Sequence, residues 1–135
     1  LVLRRQRQMC IRDSLYFYPK DKTSGCTIQS QDFRDYKKKF ANKNCKIIGI
    51  SRDSIKSHKS FTEKESLNFP LISDPDETMC NAYGVMKEKS MYGRKYMGIE
   101  RSTFVIDPDG ILIKEWRGVK VPGHVEEVYN FICEL

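Results

Sequence analysis

No two cysteines in this chain stand two residues apart, and the five present are scattered along its length. An odd, dispersed set excludes a disulfide framework and the usual zinc spacings, and it fits a reducing compartment. Histidine is scarcer still. His58 and His124 have no second ligand at metal-binding spacing, so both are expected at the surface and no metal is called for. No stretch approaches the ~18 consecutive apolar residues of a membrane span. Leu1-Val2-Leu3 runs straight into arginines without the apolar core of a secretory signal, which makes a cytoplasmic protein the expectation. Gly93 and Gly98 form no phosphate-cradling pattern. Repeats, low-complexity stretches and linkers are absent. What remains is ordinary globular composition, 39% hydrophobic and 31% charged in 135 residues, enough for one domain.

The net charge of +6 suggests an acidic partner until its distribution is read. Arg4 to Asp13 match, codon for codon, the translation of a common transposon-end sequencing adaptor, and its partial last codon can give Ser14. Residues 1–14 are therefore expected to lie outside the fold, with the domain at 15–135 and the natural N-terminus missing. Those 14 residues carry four arginines and one aspartate, while the other 121 carry 20 Lys+Arg against 17 Asp+Glu. Each part is net +3, and a nucleic-acid role resting on the basic start falls away.

From Leu15 the pattern alternates. Leu15-Tyr16-Phe17-Tyr18 predicts a buried strand closed by Pro19. Cys26 to about Lys43 reads as a helix with Phe33, Tyr36 and Phe40 on one stripe and lysines toward its C-terminal end, where cations suit the dipole. Lys46–Ser51 predicts a second strand. A helix capped by Asp53 or Ser54 follows to about Lys64, with Ile55 and Phe61 inward. Phe69–Ser73 is a short strand, and Glu77–Tyr83 a short helix ending at Gly84. Residues 86–100 read as an exposed polar excursion, in which Met86, Met91, Tyr92, Tyr96 and Met97 serve as filling or surface. Ser102–Asp107 and Ile111–Arg117 flank an Asp-Gly turn as two strands, and Val125 to about Cys133 is the last helix. This order predicts an α/β fold with a mixed central sheet flanked by helices, the thioredoxin-like plan being one option among several.

Chemistry concentrates at Pro19-Lys20-Asp21-Lys22-Thr23-Ser24-Gly25-Cys26. The segment puts Cys26 in the first turn of a helix, where free backbone N–H groups and the positive dipole end favour a thiolate. The Thr23 hydroxyl, three residues earlier, can hydrogen-bond the sulfur or an oxygen arriving beside it. Pro19 can shield the pocket without adding a donor.

Pro19, Thr23 and Cys26, spaced Pro-x-x-x-Thr-x-x-Cys, resemble the active-site motif of the peroxiredoxins. The string Tyr16–Asp21, with Gly25-Cys26-Thr27 and Phe33-Arg34-Asp35, is similar to the bacterioferritin-comigratory-protein or Q-type subfamily. The likeness runs on through Gly49-Ile50-Ser51, Phe69-Pro70-Leu71, Tyr83-Gly84-Val85, Gly98–Arg101 and Thr103–Asp107. It implies a thioredoxin-like fold, here lacking the family's N-terminal hairpin. It also implies a peroxidatic role for Cys26, pocket roles for Thr23 and Pro19, and an active-site role for Arg101, whose fixed charge suits a thiolate and the developing charge on peroxide oxygen. The implied substrates are hydrogen peroxide and organic hydroperoxides. The implied reductant is a thioredoxin-like protein or small thiol, and no cofactor is required. The chain itself would be a monomer or weak dimer.

One position departs from the subfamily. The resolving cysteine that many members carry five residues after the peroxidatic one is Gln31 here. Cys80 and Cys45 are the remaining possible resolvers, with Cys133 behind them. Each is expected to be a small buried hydrophobe first, which leaves a one-cysteine cycle resolved by an external thiol. The competing class is a non-enzymatic thiol sensor or interaction module of the same fold.

Overall fold

A computed structural model describes residues 12–135. Seven strands and four helices follow in the order β1 (Arg12–Phe17), α1 (Ser24–Asn42), β2 (Cys45–Ser51), α2 (Ile55–Glu65), β3 (Leu71–Ser73), α3 (Thr78–Ala82), β4 (Met86–Met91), β5 (Arg94–Ile99), β6 (Ser102–Ile106), β7 (Leu112–Trp116) and α4 (His124–Cys133). The main sheet is ordered β3-β2-β1-β6-β7. β1, β2 and β3 are parallel, joined by the α1 and α2 crossovers, whereas β6 and β7 run antiparallel. The expected mixed α/β sheet is therefore present.

Strand periodicity explains the two cores. Successive side chains on β1 face opposite sides. Tyr16 and Tyr18 join Phe33, Phe40, Phe61, Val128 and Ile132 on the face covered by α1, α2 and α4. Leu15 and Phe17 join Ile48, Ile50, Cys80, Val85 and Phe104 on the other. Each such aromatic or aliphatic side chain, fully buried, contributes about 1.5–3 kcal/mol. Gly49 lies where β2 passes between its neighbours. A Cβ there would stand 2.6 Å from Leu71 and 2.8 Å from the Tyr16 ring.

Several expectations need correction. The first strand begins at Arg12, not Leu15. Asp13 and Ser14 are buried, and Ser14 Oγ lies 3.4 Å from Cys45 Sγ. Arg12, Asp13 and Ser14 thus belong to the sheet whatever their origin: Arg12 pairs with β2, and Asp13 and Ser14 pair with both β2 and β6. Residues 1–11 lie outside the described residues. Ile55 is 78% exposed, since it opens α2 on the side away from the sheet. His58 and His124, expected at the surface, are both buried. His124 is held by the Thr103 hydroxyl at 2.7 Å, and burial lowers its pKa. The polar excursion is a hairpin, β4–β5, closed by Tyr92 and Gly93 with φ of 52° and 77°. Two left-handed residues are what a tight two-residue hairpin turn requires.

Candidate active site

The first turn of α1 and the loop before it build the site. Thr23 is the N-cap of the helix, with extended backbone. Its hydroxyl donates to the Lys20 carbonyl at 2.9 Å, so its proton is spent within the loop and its lone pairs remain as acceptors. Ser24, Gly25 and Cys26 are the first three helical residues. Cys26 is fully buried, on the face of α1 that meets the sheet.

Arg101 arrives from the far side of the chain, between β5 and β6. Its Nη2 donates to Cys26 Sγ at 3.3 Å and its Nη1 to Gln29 Oε1 at 2.6 Å. Gln29 is one helical turn after Cys26 and completely buried. Arg101 is donor-only, which fixes the amide oxygen toward it. The Gln29 Nε2 has no hydrogen-bond partner among the described residues. Gly25 makes room for the guanidinium: a Cβ at that position would lie 3.1 Å from Arg101 Nη2. Lys89 adds a second cation nearby, its Nζ donating to the Ile99 carbonyl at 2.6 Å. Burial, assisted by the Arg101 charge, pushes its pKa down.

The predicted residues are therefore not equally placed. Cys26 and Arg101 meet directly. Thr23 caps the same helix, but its hydrogen bond goes to Lys20 rather than to sulfur. Pro19 is partly buried at the head of the loop, after Tyr18. Gln29 was not foreseen; a polar residue one turn after Cys26 on the apolar stripe is the signal that could have found it. Gly25 appeared in the sequence reading only as a member of the motif string.

The other cysteines among the described residues stand apart. Asn42 stands sixteen positions after Cys26 along α1, a rise of roughly 24 Å at 1.5 Å per residue, and Cys45 opens β2 three positions after that far end. Burial pushes the Cys45 thiol up to about 11. Cys80 belongs to the core on the opposite face of the sheet. Burial, with the Asp74 carboxylate against it, pushes that thiol up to about 12. Cys133 is exposed at the end of α4. Gln31 points away into a hydrogen bond with Glu65 at 2.7 Å.

A second buried polar cluster was missed altogether. Asp21, Asp53 and His58 bring a potential metal-ligand atom each within 4.8 Å of one another. These atoms are already engaged: Asp21 Oδ2 accepts from Ser57 and His58, and Asp53 Oδ2 accepts from the Asp21 N–H and Ser51. Among the described residues no helix is long and apolar enough to cross a membrane.

The model of the AhpC/TSA family matches residues 14–115. Peroxiredoxin Bcp of Xanthomonas campestris is 51% identical over 114 residues, covering 84% of this chain and 71% of its own length. Peroxiredoxin Bcp of Bacillus subtilis is 53% identical over 121 residues, covering 90% and 77%. Among solved structures, the bacterioferritin comigratory protein of X. campestris, studied for alkyl peroxide reduction, superposes with a TM-score of 0.88 at 46% identity. That match covers 92% of this chain and 79% of the other.

Proposed function

The chain belongs to the AhpC/TSA family, among its Bcp or Q-type peroxiredoxins, and from that premise we propose how its own residues reduce a peroxide. It is a thiol-dependent peroxidase, with a peroxide as oxidising substrate and a thiol as reductant. The observation that carries the residue assignment is Arg101 Nη2 at 3.3 Å from the Cys26 sulfur, at a helix N-terminus.

Cys26 is the peroxidatic nucleophile. Its thiolate attacks one oxygen of hydrogen peroxide or an organic hydroperoxide in line with the O–O bond. A sulfur–oxygen bond forms, the O–O bond breaks, and sulfur gives up two electrons. The departing oxygen takes a proton and leaves as water or an alcohol, with Cys26 left as sulfenic acid. The Arg101 guanidinium supports the thiolate and then the charge growing on the peroxide oxygens. Gln29 holds that guanidinium from its other edge. Thr23, its own proton committed to Lys20, accepts the peroxide O–H and so orients the incoming molecule, while Pro19 limits water.

The cycle closes with an external thiol. Gln31 cannot form a disulfide, and the positions of Cys45 and Cys80 would require large backbone movement to reach Cys26. Their raised pKa values also disfavour the thiolate that must attack. One thiol attacks the sulfenic acid, releasing water and forming a mixed disulfide. A second thiol releases Cys26 and leaves as the oxidised disulfide. A thioredoxin-like dithiol or a small thiol fits both steps, and the chain works as a monomer or weak dimer. The test is peroxide consumption with dithiothreitol or thioredoxin as reductant. Cys26→Ser should abolish turnover, whereas Cys45→Ser and Cys80→Ser should retain it. Turnover by the Cys26→Ser protein would remove Cys26 from the reaction.

A further inference from the structure

The reaction uses the loop from Pro19 to Thr23, yet that loop contains Lys22 with φ of 65°, a left-handed backbone that a lysine adopts only at a cost. Something must hold it. Lys22 Nζ donates to Ser60 Oγ at 2.8 Å at the surface. The stronger attachment lies beneath, at Asp21. Its side chain is only 1% exposed, and the His58 side chain opposite is 5% exposed. Asp21 Oδ1 accepts from the Tyr18 hydroxyl at 2.6 Å. Its Oδ2 accepts from His58 Nδ1 and from Ser57 Oγ, each at 2.8 Å. Its backbone N–H donates to Asp53 Oδ2 at 2.8 Å.

The His58 ring is constrained on both sides. Nδ1 faces the Asp21 carboxylate and Nε2 faces the Ile72 carbonyl at 3.1 Å. The Tyr18 and Ser51 hydroxyls stand farther off, 3.4 Å from Nδ1 and 3.4 Å from Nε2 respectively, so the ring is held in one orientation with Nδ1 donating to the Asp21 carboxylate. A buried carboxylate with both oxygens hydrogen-bonded has one discrete geometry, and removing His58 leaves it short of a donor.

We propose that Asp21 and His58 are positioning residues for the peroxide pocket. Together they pin the Pro19–Thr23 loop to α2, so that Thr23 keeps its place as helix cap and peroxide acceptor. Neither touches the reacting atoms. The inference rests on the peroxidase reading for its rate consequences, but the clamp itself can be read without peroxide.

The experiment compares wild type with Asp21→Asn, His58→Leu, the double variant, and His58→Asn, which keeps a donor near the place of Nδ1. Folding is monitored by circular dichroism. Two readouts are followed: the second-order rate with hydrogen peroxide, and hydrogen exchange of the amides of residues 21–23. Each single variant should lower the peroxide rate about tenfold or more, as misplacement of a reacting group does. Their effects should not multiply in the double variant, His58→Asn should recover part of the loss, and loop exchange should quicken while the central strands stay protected. Peroxide rates unchanged in folded variants, or single effects that multiply, would overturn the proposal. If His58→Leu fails to fold, Ser57→Ala takes its place, since it deletes one bond onto Asp21 and leaves the pair. Several-fold slowing with faster loop exchange is expected there, and unchanged values of both overturn the clamp. A wild type inactive toward peroxide but with the 21–23 amides protected from exchange would sink the peroxidase reading alone.

Discussion

Gly25→Ala separates the chemistry of this site from its stability. A methyl at position 25 would lie 3.1 Å from Arg101 Nη2, 3.9 Å from its Cζ and 4.0 Å from Val121. Carbon contacts relax at about 3.5–4.0 Å, so the guanidinium must retreat by roughly 0.4 Å. It has little freedom to do so elsewhere, being bonded to Gln29 at 2.6 Å and Cys26 at 3.3 Å. The longer of the two bonds yields first. A hydrogen bond to a charged group contributes about 1.5–3 kcal/mol, and losing about half of it costs ~1 kcal/mol. Each 1.36 kcal/mol is tenfold in rate, so peroxide reduction should slow roughly five- to tenfold. The same substitution replaces glycine in the first turn of a helix whose backbone alanine accepts. That change raises stability by up to ~1 kcal/mol. The predicted signature is a slower enzyme that melts no lower than wild type. Stopped-flow competition for hydrogen peroxide and thermal unfolding measure the two halves. A wild-type rate would refute the steric argument, and slowing in step with lost stability would show a general disruption instead.

Three further outcomes follow from the same structure. Arg101→Met removes the charge beside sulfur and should slow the peroxide step by a factor on the order of 10² or more, read from the same competition assay. Gly49→Ala places a methyl 2.6 Å from Leu71 and 2.8 Å from Tyr16; overpacking should lower the urea unfolding free energy by about 1–3 kcal/mol. Burial alone would raise the Asp21 and Asp74 pKa values. Hydrogen bonds from His58, Tyr18 and Ser57 hold Asp21 below its ordinary value, and the backbone N–H groups of Cys80 and Met79 do so for Asp74. Their stabilising contribution is thus present above the unfolded carboxylate range near pH 4 and is lost as pH falls through the lower folded values. Urea midpoints measured from pH 5 to pH 3 should fall, and Asp74→Asn should flatten part of that fall.

The legible parts of the chain were those where one local rule dominates. Apolar strands, the Phe33–Phe40 stripe and the Asp-Gly turn read directly, because burial or turn chemistry leaves few choices. The place of Cys26 in the first turn of a helix read well, because that helix start is marked by its own neighbours. Arg101 did not: 75 residues separate it from Cys26, and only the family resemblance joined them. Gln29 and His58 were missed for a related reason. A polar residue on a buried face is explained by its partner, and that partner lies elsewhere in the sequence. The β4–β5 strands carry five charged residues among twelve, and no apolar alternation announced them; backbone pairing and the Tyr92-Gly93 turn define them instead. Strand β1 began earlier than expected because pairing on both edges, rather than side-chain character, determines where a central strand starts.

Mass spectrometry after one equivalent of hydrogen peroxide, with dimedone present and no reductant, tests the central assignment most directly. The account predicts one dimedone adduct per chain, on the peptide containing Cys26, with Cys45, Cys80 and Cys133 unmodified and the peroxide consumed. Unconsumed peroxide with Cys26 still a free thiol would contradict it, and a dominant disulfide from Cys26 to Cys80 or Cys45 would overturn resolution by an external thiol.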